Sequence, residues 1–472
     1  MGSRSSPIIV GRDRELARIE HALVLAATGE PALVLIRGEA GIGKSRLVRE
    51  AIGQAEAGGS AILHGACLDL GGDGLPYLPI VEALRRLASA MPRERMRELL
   101  GSAAPELSAL VPDLAEPGPA AERIATSSTV DRARLFERFL GFLERLGSDA
   151  PVLAVVEDVQ WIDPATRDLL TFLVRNITTE RVVAILTCRT DDLHSGHPVL
   201  AWMAELGRAP GAIRLDLDRL SSTDVRHLLE AIEDGPVPQA VLESISRRSE
   251  GHPLFAEELF EAVSATNGER PPSLVEVLLG RVAALDLDTL TVVQALAVAG
   301  RPVDGRLVGL VVERSGREVG VALRDATAHG VLVALPDGSH AFRHELLREI
   351  VERELSIGER RELHEQFARQ LESHPELAAD SPAGKTGELA RHWALAERPL
   401  EAHRAAIVAA GAAEDVHAFA DAQRLLERAI GLEGQLPPEE APSAAERIDV
   451  RRRAAQAADL SGELERATEM VR

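Results

Sequence analysis

Positive charge is scarce in this chain of 472 residues, and lysine is scarcer still. Against 74 acidic residues stand 53 basic ones, and only Lys44 and Lys385 among them are lysines. The resulting formal charge of −21 excludes a broad basic surface for holding nucleic acid. Cysteine is as rare. Cys67 and Cys188 are the only two, both in or beside apolar runs, which excludes a disulfide framework and reads as buried reduced thiols. Long apolar runs are missing too: the longest, such as Val182–Leu186, are strand-sized, well short of the roughly 18 residues a membrane helix needs. Met1–Pro7 lacks the apolar core of a secretory signal. These absences point to a cytoplasmic chain without a membrane partner. The 14 histidines fall into no metal-ligand spacing, with neither H-E-x-x-H nor a paired C-x-x-C.

What remains is ordinary globular material, 45% hydrophobic and 27% charged, long enough for about three domains at ~150 residues each. Through the first two hundred residues, short aliphatic runs alternate with amphipathic stretches, the pattern of a parallel sheet flanked by helices. Strands are predicted at Ala32–Arg37, Ala61–Ala66, Val152–Val156, Val182–Cys188 and Ala212–Leu215. Helices are expected around Pro79–Ala90 and Val130–Leu146, separated by a Pro/Ser/Gly-rich surface insertion at Val111–Thr129. Three helices follow at Ser222–Ile232, Gln239–Arg248 and Leu254–Ala265, then a polar break at Asn267–Ser273. Two helices within Leu274–Val298, further helix to Gly330, and a hairpin of Val331–Leu335 and His340–Phe342 about Pro336-Asp337-Gly338-Ser339 give the pattern of a winged helix. From Glu359 onward everything reads as Ala-rich helix. Pro399–Val416 and Ala418–Leu432 suit a tetratricopeptide-like hairpin with Ala422 and Ala429 at the close contact, although the spacing beyond is irregular. The chain stops inside a second such unit, and the natural protein is expected to continue past Arg472.

One motif carries chemistry. Gly38-Glu39-Ala40-Gly41-Ile42-Gly43-Lys44-Ser45 satisfies G-x-x-x-x-G-K-[ST] between a predicted strand and the helical Arg46–Ala55. Gly38, Gly41 and Gly43 let backbone N–H groups turn inward around phosphates, Lys44 neutralises the β- and γ-phosphates, and Ser45 ligates Mg²⁺. Arg46, the next residue, opens the helix behind them and is expected among the nucleotide-binding residues. Gly384-Lys385-Thr386 imitates the motif's end without its first glycine or its strand, and is expected to be loop. A P-loop needs acids at the end of a neighbouring strand. Glu157 and Asp158 supply them after Val152–Val156, one for the metal and one to polarise water, with the division left open. Asp163-Pro164 is read as a structural N-cap and first helical position. Arg189 ends the fourth strand, within reach of a γ-phosphate.

Taken in order, Val10-Gly11-Arg12-Asp13-x-Glu15-Leu16, the P-loop, Glu157-Asp158-Val-Gln160-Trp161-Ile-Asp163-Pro164-Ala-Thr166, Thr187-Cys-Arg189, Glu250-Gly251-His252-Pro253-Leu-Phe255-x-x-Glu258-Leu259 and Phe342-Arg343-His344-Glu345-Leu346 resemble the ATPase core of the large ATP-binding regulators of the LuxR family. These belong to the STAND class of signalling NTPases. The likeness runs from about Ile9 to Leu432. It implies a base-side role for Val10, Gly11, Arg12 and Pro253, a sensor role for Arg189, and a β-phosphate contact for His344 in a closed, ADP-bound state. It further implies four domains: nucleotide-binding (1–215), helical lid (216–273), winged helix (274–357) and TPR-like helices (358–472). Such a protein is a switch with slow hydrolysis, self-association on activation and an unidentified inducer at its helical region. DNA would be read only through a C-terminal domain that 359–472 does not resemble. An AAA-type motor, or the regulatory ATPase module of another signalling or defence protein, remains the alternative.

Overall fold

The computed structural model describes residues 6–69, 74–114, 130–191, 193, 197–265 and 274–471. The expected insertion beyond Leu114 and the polar break at Asn267–Ser273 lie outside the described residues. The chain opens with α1 (Asp13–Ala27), then runs β1 (Ala32–Gly38), α2 (Lys44–Ala57), β2 (Ala61–Ala66), α3 (Leu78–Ala90), α4 (Arg93–Leu100), α5 (Ala104–Leu110), α6 (Val130–Asp149), β3 (Val152–Glu157), α7 (Pro164–Asn176), β4 (Val182–Arg189), α8 (Pro198–Leu206) and β5 (Ala212–Asp216). The five strands form one parallel sheet in the order β2-β3-β4-β1-β5. All five expected strands are present. Four run one residue further, to Gly38, Glu157, Arg189 and Asp216, and the parallel ladder pairs Gly38 with Arg189. Helices α4 and α5 occupy a stretch for which the sequence reading proposed no element.

The strands are almost continuously aliphatic because both faces of the sheet are covered. Alternate side chains point to opposite sides. Val34, Ile36, Leu153, Val155, Val183 and Ile185 pack beneath Ile19 of α1 and Leu47 and Val48 of α2. Leu33, Leu35, Val152, Val156, Val182 and Leu186 face Leu84, Phe142, Leu169 and Trp202 on the other side. Asp163 caps α7 by accepting from the Thr166 N–H, with Pro164 in the first turn, as expected.

Beyond the sheet, α9 (Ser222–Glu233), α10 (Gln239–Ser249) and α11 (Pro253–Ala265) enclose a small core of Leu220, Val225, Leu229, Ile245, Ala256 and Leu259. A Ser221/Asp224 capping box starts α9. Another core gathers α12 (Leu274–Ala283), α13 (Leu287–Ala299), α14 (Gly305–Val311), α15 (Gly316–Ala328), the hairpin β6 (Leu332–Ala334) and β7 (His340–Phe342), α16 (Glu345–Glu354) and α17 (Ile357–Ser373). Helices α18 (Pro382–Leu395), α19 (Pro399–Asp415), α20 (Phe419–Leu432), α21 (Ala444–Ser461) and α22 (Leu464–Val471) then pack each on the next. Ala422 and Ala429 are fully buried in α20, which lets its neighbours approach closely. The core is thus a parallel-sheet α/β P-loop domain followed by a mostly helical region.

One expectation is overturned. Gly384-Lys385-Thr386 lies inside α18, not in a loop. Ser381 caps that helix through the Gly384 N–H and Pro382 sits in its first turn, a start signal strong enough to carry the glycine.

Candidate functional site

Gly38–Ser45, Glu157, Asp158 and Arg189 converge at the carboxyl ends of β1, β3 and β4, where loops of an open parallel sheet gather. Gly38 closes β1, and the loop turns through left-handed Gly41 (φ 74°) and Gly43 (φ 106°) into α2. A Cβ on Gly41 would lie 2.7 Å from the Leu254 side chain and 2.9 Å from the His252 ring, so α11 approaches the loop too closely for any other residue. The first-turn amides of α2 have no helical carbonyl to serve, which leaves donors pointed into the crevice. Lys44 is buried, and its Nζ donates to the carbonyls of Gly38 (2.9 Å) and Glu39 (2.8 Å). Burial pushes the Lys44 ammonium below its usual range, and Asp158 acts against that shift.

The two acids face different neighbours. Burial alone would raise the Glu157 carboxyl, yet hydrogen bonds from His64 and from the Ser45 hydroxyl hold it below the ordinary carboxylate range. His64 Nε2 lies 2.9 Å from Glu157 Oε1, and Arg86 donates to His64 Nδ1 at 3.1 Å. Since arginine only donates, His64 carries its hydrogen on Nε2 and donates a hydrogen bond from it to Glu157. Asp158 sits in the left-handed region at φ 57°. It accepts from Gln160 Nε2 (3.1 Å) and stands 3.4 Å from Arg189 Nε. Gln160 closes the strap by accepting from the Arg189 N–H at 3.0 Å, while the Arg189 guanidinium lies 4.8 Å from the centre of the Trp161 ring.

Val10, Gly11 and Arg12 lie where the loop meets the three-helix unit. Val10 packs on that unit's core, and a Cβ on Gly11 would come within 2.8 Å of the Asp224 carboxyl carbon. Arg12 is buried and donates to the carbonyls of Ile42 (3.1 Å) and Asp218 (2.7 Å). Pro253 occupies the first position of α11, next to His252, whose Nε2 is 2.8 Å from the Ala40 carbonyl oxygen. His252 is buried against Phe255, its ring stacked at 3.9 Å, and burial lowers its basicity.

Two of the expected nucleotide-binding residues have partners within the protein. Arg46 turns to the Ser6 carbonyl at 2.5 Å and fastens the N-terminal segment. His344, the N-cap residue of α16, meets Glu258 of α11, Nε2 to Oε1 3.3 Å, with Arg343 beside it. Glu258 is buried and also pairs with Arg281 of α12 at 2.7 Å. His64, Asp191, His252 and Glu258 were given no role by sequence reasoning. The last two stand inside a recognised motif, whereas His64 and Asp191 become visible only once the strand order is known.

Residues 8–186 match the family model of the AAA ATPase domain. An uncharacterised protein of Rhizobium meliloti is 27% identical over 474 residues, covering 92% of this chain and 43% of that protein. The crystal structure of a Signal Transduction ATPase with Numerous Domains (STAND) protein with a tetratricopeptide repeat sensor, from Pyrococcus horikoshii, superposes with a TM-score of 0.52 at 17% identity. That match covers 100% of this chain and 64% of the other. The chain therefore spans less than two thirds of each of these two. Residues 8–186 are thus similar to an AAA ATPase domain, and the chain shares its fold with a STAND protein. Among the described residues no helix is long and apolar enough to cross a membrane.

Proposed function

We propose that this chain is the nucleotide-controlled switch of a signalling regulator of the large ATP-binding LuxR type, closed with ADP and opened by ATP together with a signal. The observation that carries this reading is a series of contacts. His252, just before the lid helix α11, is bonded to the P-loop carbonyl of Ala40, and six residues on, nearly two turns into that helix, Glu258 lies 3.3 Å from His344 of the next unit. A change at the phosphates therefore acts directly on the lid, and a lid movement acts on the unit beyond.

In this reading 1–215 binds the nucleotide, 216–273 is the lid, 274–357 the winged helix and 358–472 a TPR-like region that takes the inducer. Gly38, Gly41, Gly43, Lys44 and Ser45 hold the phosphates, and Val10, Gly11, Arg12 and Pro253 line the base side. The donor set fits a magnesium ion: a hydroxyl and a carboxylate, Ser45 and Glu157, are already joined beside the loop. Such an ion would neutralise phosphate charge. The neighbours of the two acids support giving Glu157 the metal side and Asp158, next to Arg189, the water. Arg46 keeps a structural role, and His344 acts through Glu258 instead of touching a phosphate itself. Moving a two-state equilibrium from 1:99 to 99:1 requires about 5.5 kcal/mol of differential affinity, so ATP and signal together must supply that difference. Hydrolysis then serves as a slow reset, with self-association in the open form.

The test is the nucleotide that co-purifies, released by denaturation and identified by ion-exchange chromatography. Wild type should yield near-stoichiometric ADP, Lys44→Ala none, and His344→Ala either no ADP or ATP in its place. ADP held equally by wild type and His344→Ala would remove the clamp, and ADP retained by Lys44→Ala would remove the P-loop assignment.

A further inference from the structure

The outer half of the P-loop is already engaged by an acid of this chain. The Ala40 N–H donates to both carboxylate oxygens of Asp191, at 3.0 and 3.1 Å. Asp191 stands two residues past the end of β4, and that segment is fastened to the loop by the Thr190 N–H, which donates to the Gly38 carbonyl at 3.2 Å. The carboxylate lies within electrostatic reach of Lys44 and of His252. Ala40 is thus gripped from both sides, its N–H by Asp191 and its carbonyl by His252.

The two halves of the loop offer different donors. The first-turn amides of α2, from Gly43 to Ser45, suit the inner phosphates of a nucleotide. A P-loop lysine reaches the β- and γ-phosphates, and here the Lys44 ammonium rests on the carbonyls of Gly38 and Glu39, immediately before Ala40. The third phosphate therefore arrives on the side where Asp191 stands. A carboxylate and a γ-phosphate are like charges competing for one amide and one ammonium, while a diphosphate leaves the Asp191–Ala40 contact standing.

We propose that Asp191 is the specificity-determining residue that makes this site prefer a nucleoside diphosphate to a triphosphate, by placing a negative charge where the third phosphate would bind. The proposal rests on the nucleotide-binding reading above and deepens it: the resting state would be set at the P-loop itself, before the lid contributes. A triphosphate binds by displacing Asp191, which frees the 189–191 segment from Ala40 at the same step.

The experiment is titration calorimetry of the full chain with Mg²⁺ and either ADP or the non-hydrolysable β,γ-imido analogue of ATP. Wild type, Asp191→Asn and Asp191→Ala are compared. The asparagine keeps the size and an acceptor for the Ala40 N–H but loses the charge. Both variants should bind the triphosphate analogue about tenfold more tightly, with ADP affinity within about twofold of wild type, an effect of the size expected for one partly screened like charge. Raising the salt concentration should narrow the wild-type preference and leave the variants unmoved. A ratio of the two Kd values that stays the same in all three proteins overturns the proposal, as does a parallel loss of both affinities, which marks a merely structural residue. If wild type binds neither nucleotide, the underlying reading falls and this one with it.

Discussion

Helix α20 docks its Phe419, Ala422 and Leu426 onto the sheet domain's core, and the same contact buries a carboxylate pair whose ionisation sets how firmly it holds. Asp421 of α20 is only 2% exposed and accepts from the Ala165 N–H at the start of α7, beside Asp163, which is 3% exposed. Arg424 pairs with Asp421, and the fully buried Tyr77 ring lies within reach of both acids. Burial, with Asp163 as a second cause, pushes the Asp421 carboxyl from 3.8 up to about 7, and burial raises Asp163 as well. A carboxyl raised in the docked form favours docking most at low pH, because the docked form keeps a proton that the undocked form has released. Between 3.8 and about 7 docking should therefore weaken, by about 1.4 kcal/mol per pH unit. That amounts to about 4 kcal/mol across the window and about 2 kcal/mol from pH 5.5 to 7. Native-state hydrogen exchange of α7 and α20, compared at each pH between wild type and Asp421→Asn, isolates this contribution from the intrinsic pH dependence of exchange. Protection in wild type should fall relative to the variant by roughly tenfold to twentyfold over that range. Parallel protection of the two proteins from pH 5.5 to 7 would refute the reasoning.

Two further perturbations follow from the site. His64→Ala removes the donor that orients Glu157, so phosphate release should slow by about ten- to a hundredfold while ADP affinity stays near wild type. His64→Gln should recover part of the rate, and undiminished hydrolysis by His64→Ala would show that Glu157 needs no such support. Gly251→Ala would set a Cβ 2.2 Å from the Leu220 carbonyl oxygen at φ +78°, costing about 2 kcal/mol or more in the three-helix unit. Hydrogen exchange across α9 and α11 should report that loss, and unchanged protection would mean that the junction at Leu220 is loose.

The five strands, the P-loop turn and the two acids at the end of β3 were legible from the sequence because each signal is local. A parallel strand covered on both faces must be aliphatic throughout, and a phosphate-cradling turn needs its glycines at fixed offsets. The Asp163-Pro164 cap was legible for the same reason. Gly384-Lys385-Thr386 looks like the end of a P-loop only when taken alone, because the Ser381-Pro382 start signal just before it determines a helix.

What the tertiary structure alone decided is which distant residues share a neighbourhood. The amino-acid order puts Glu157 next to Asp158, yet their different partners depend on β2 lying beside β3 and β4 lying beside β1. That arrangement brings His64 to Glu157 and Asp191 to Ala40 across 93 and 151 residues. In the same way His344 was readable as a residue of interest, but its partner Glu258 was not, since the packing of α11 against the unit beyond is non-local. The local sequence fixes backbone geometry and burial through steric and solvation rules of short range. The electrostatic environment of each charged group is a sum over neighbours that only the folded chain assembles.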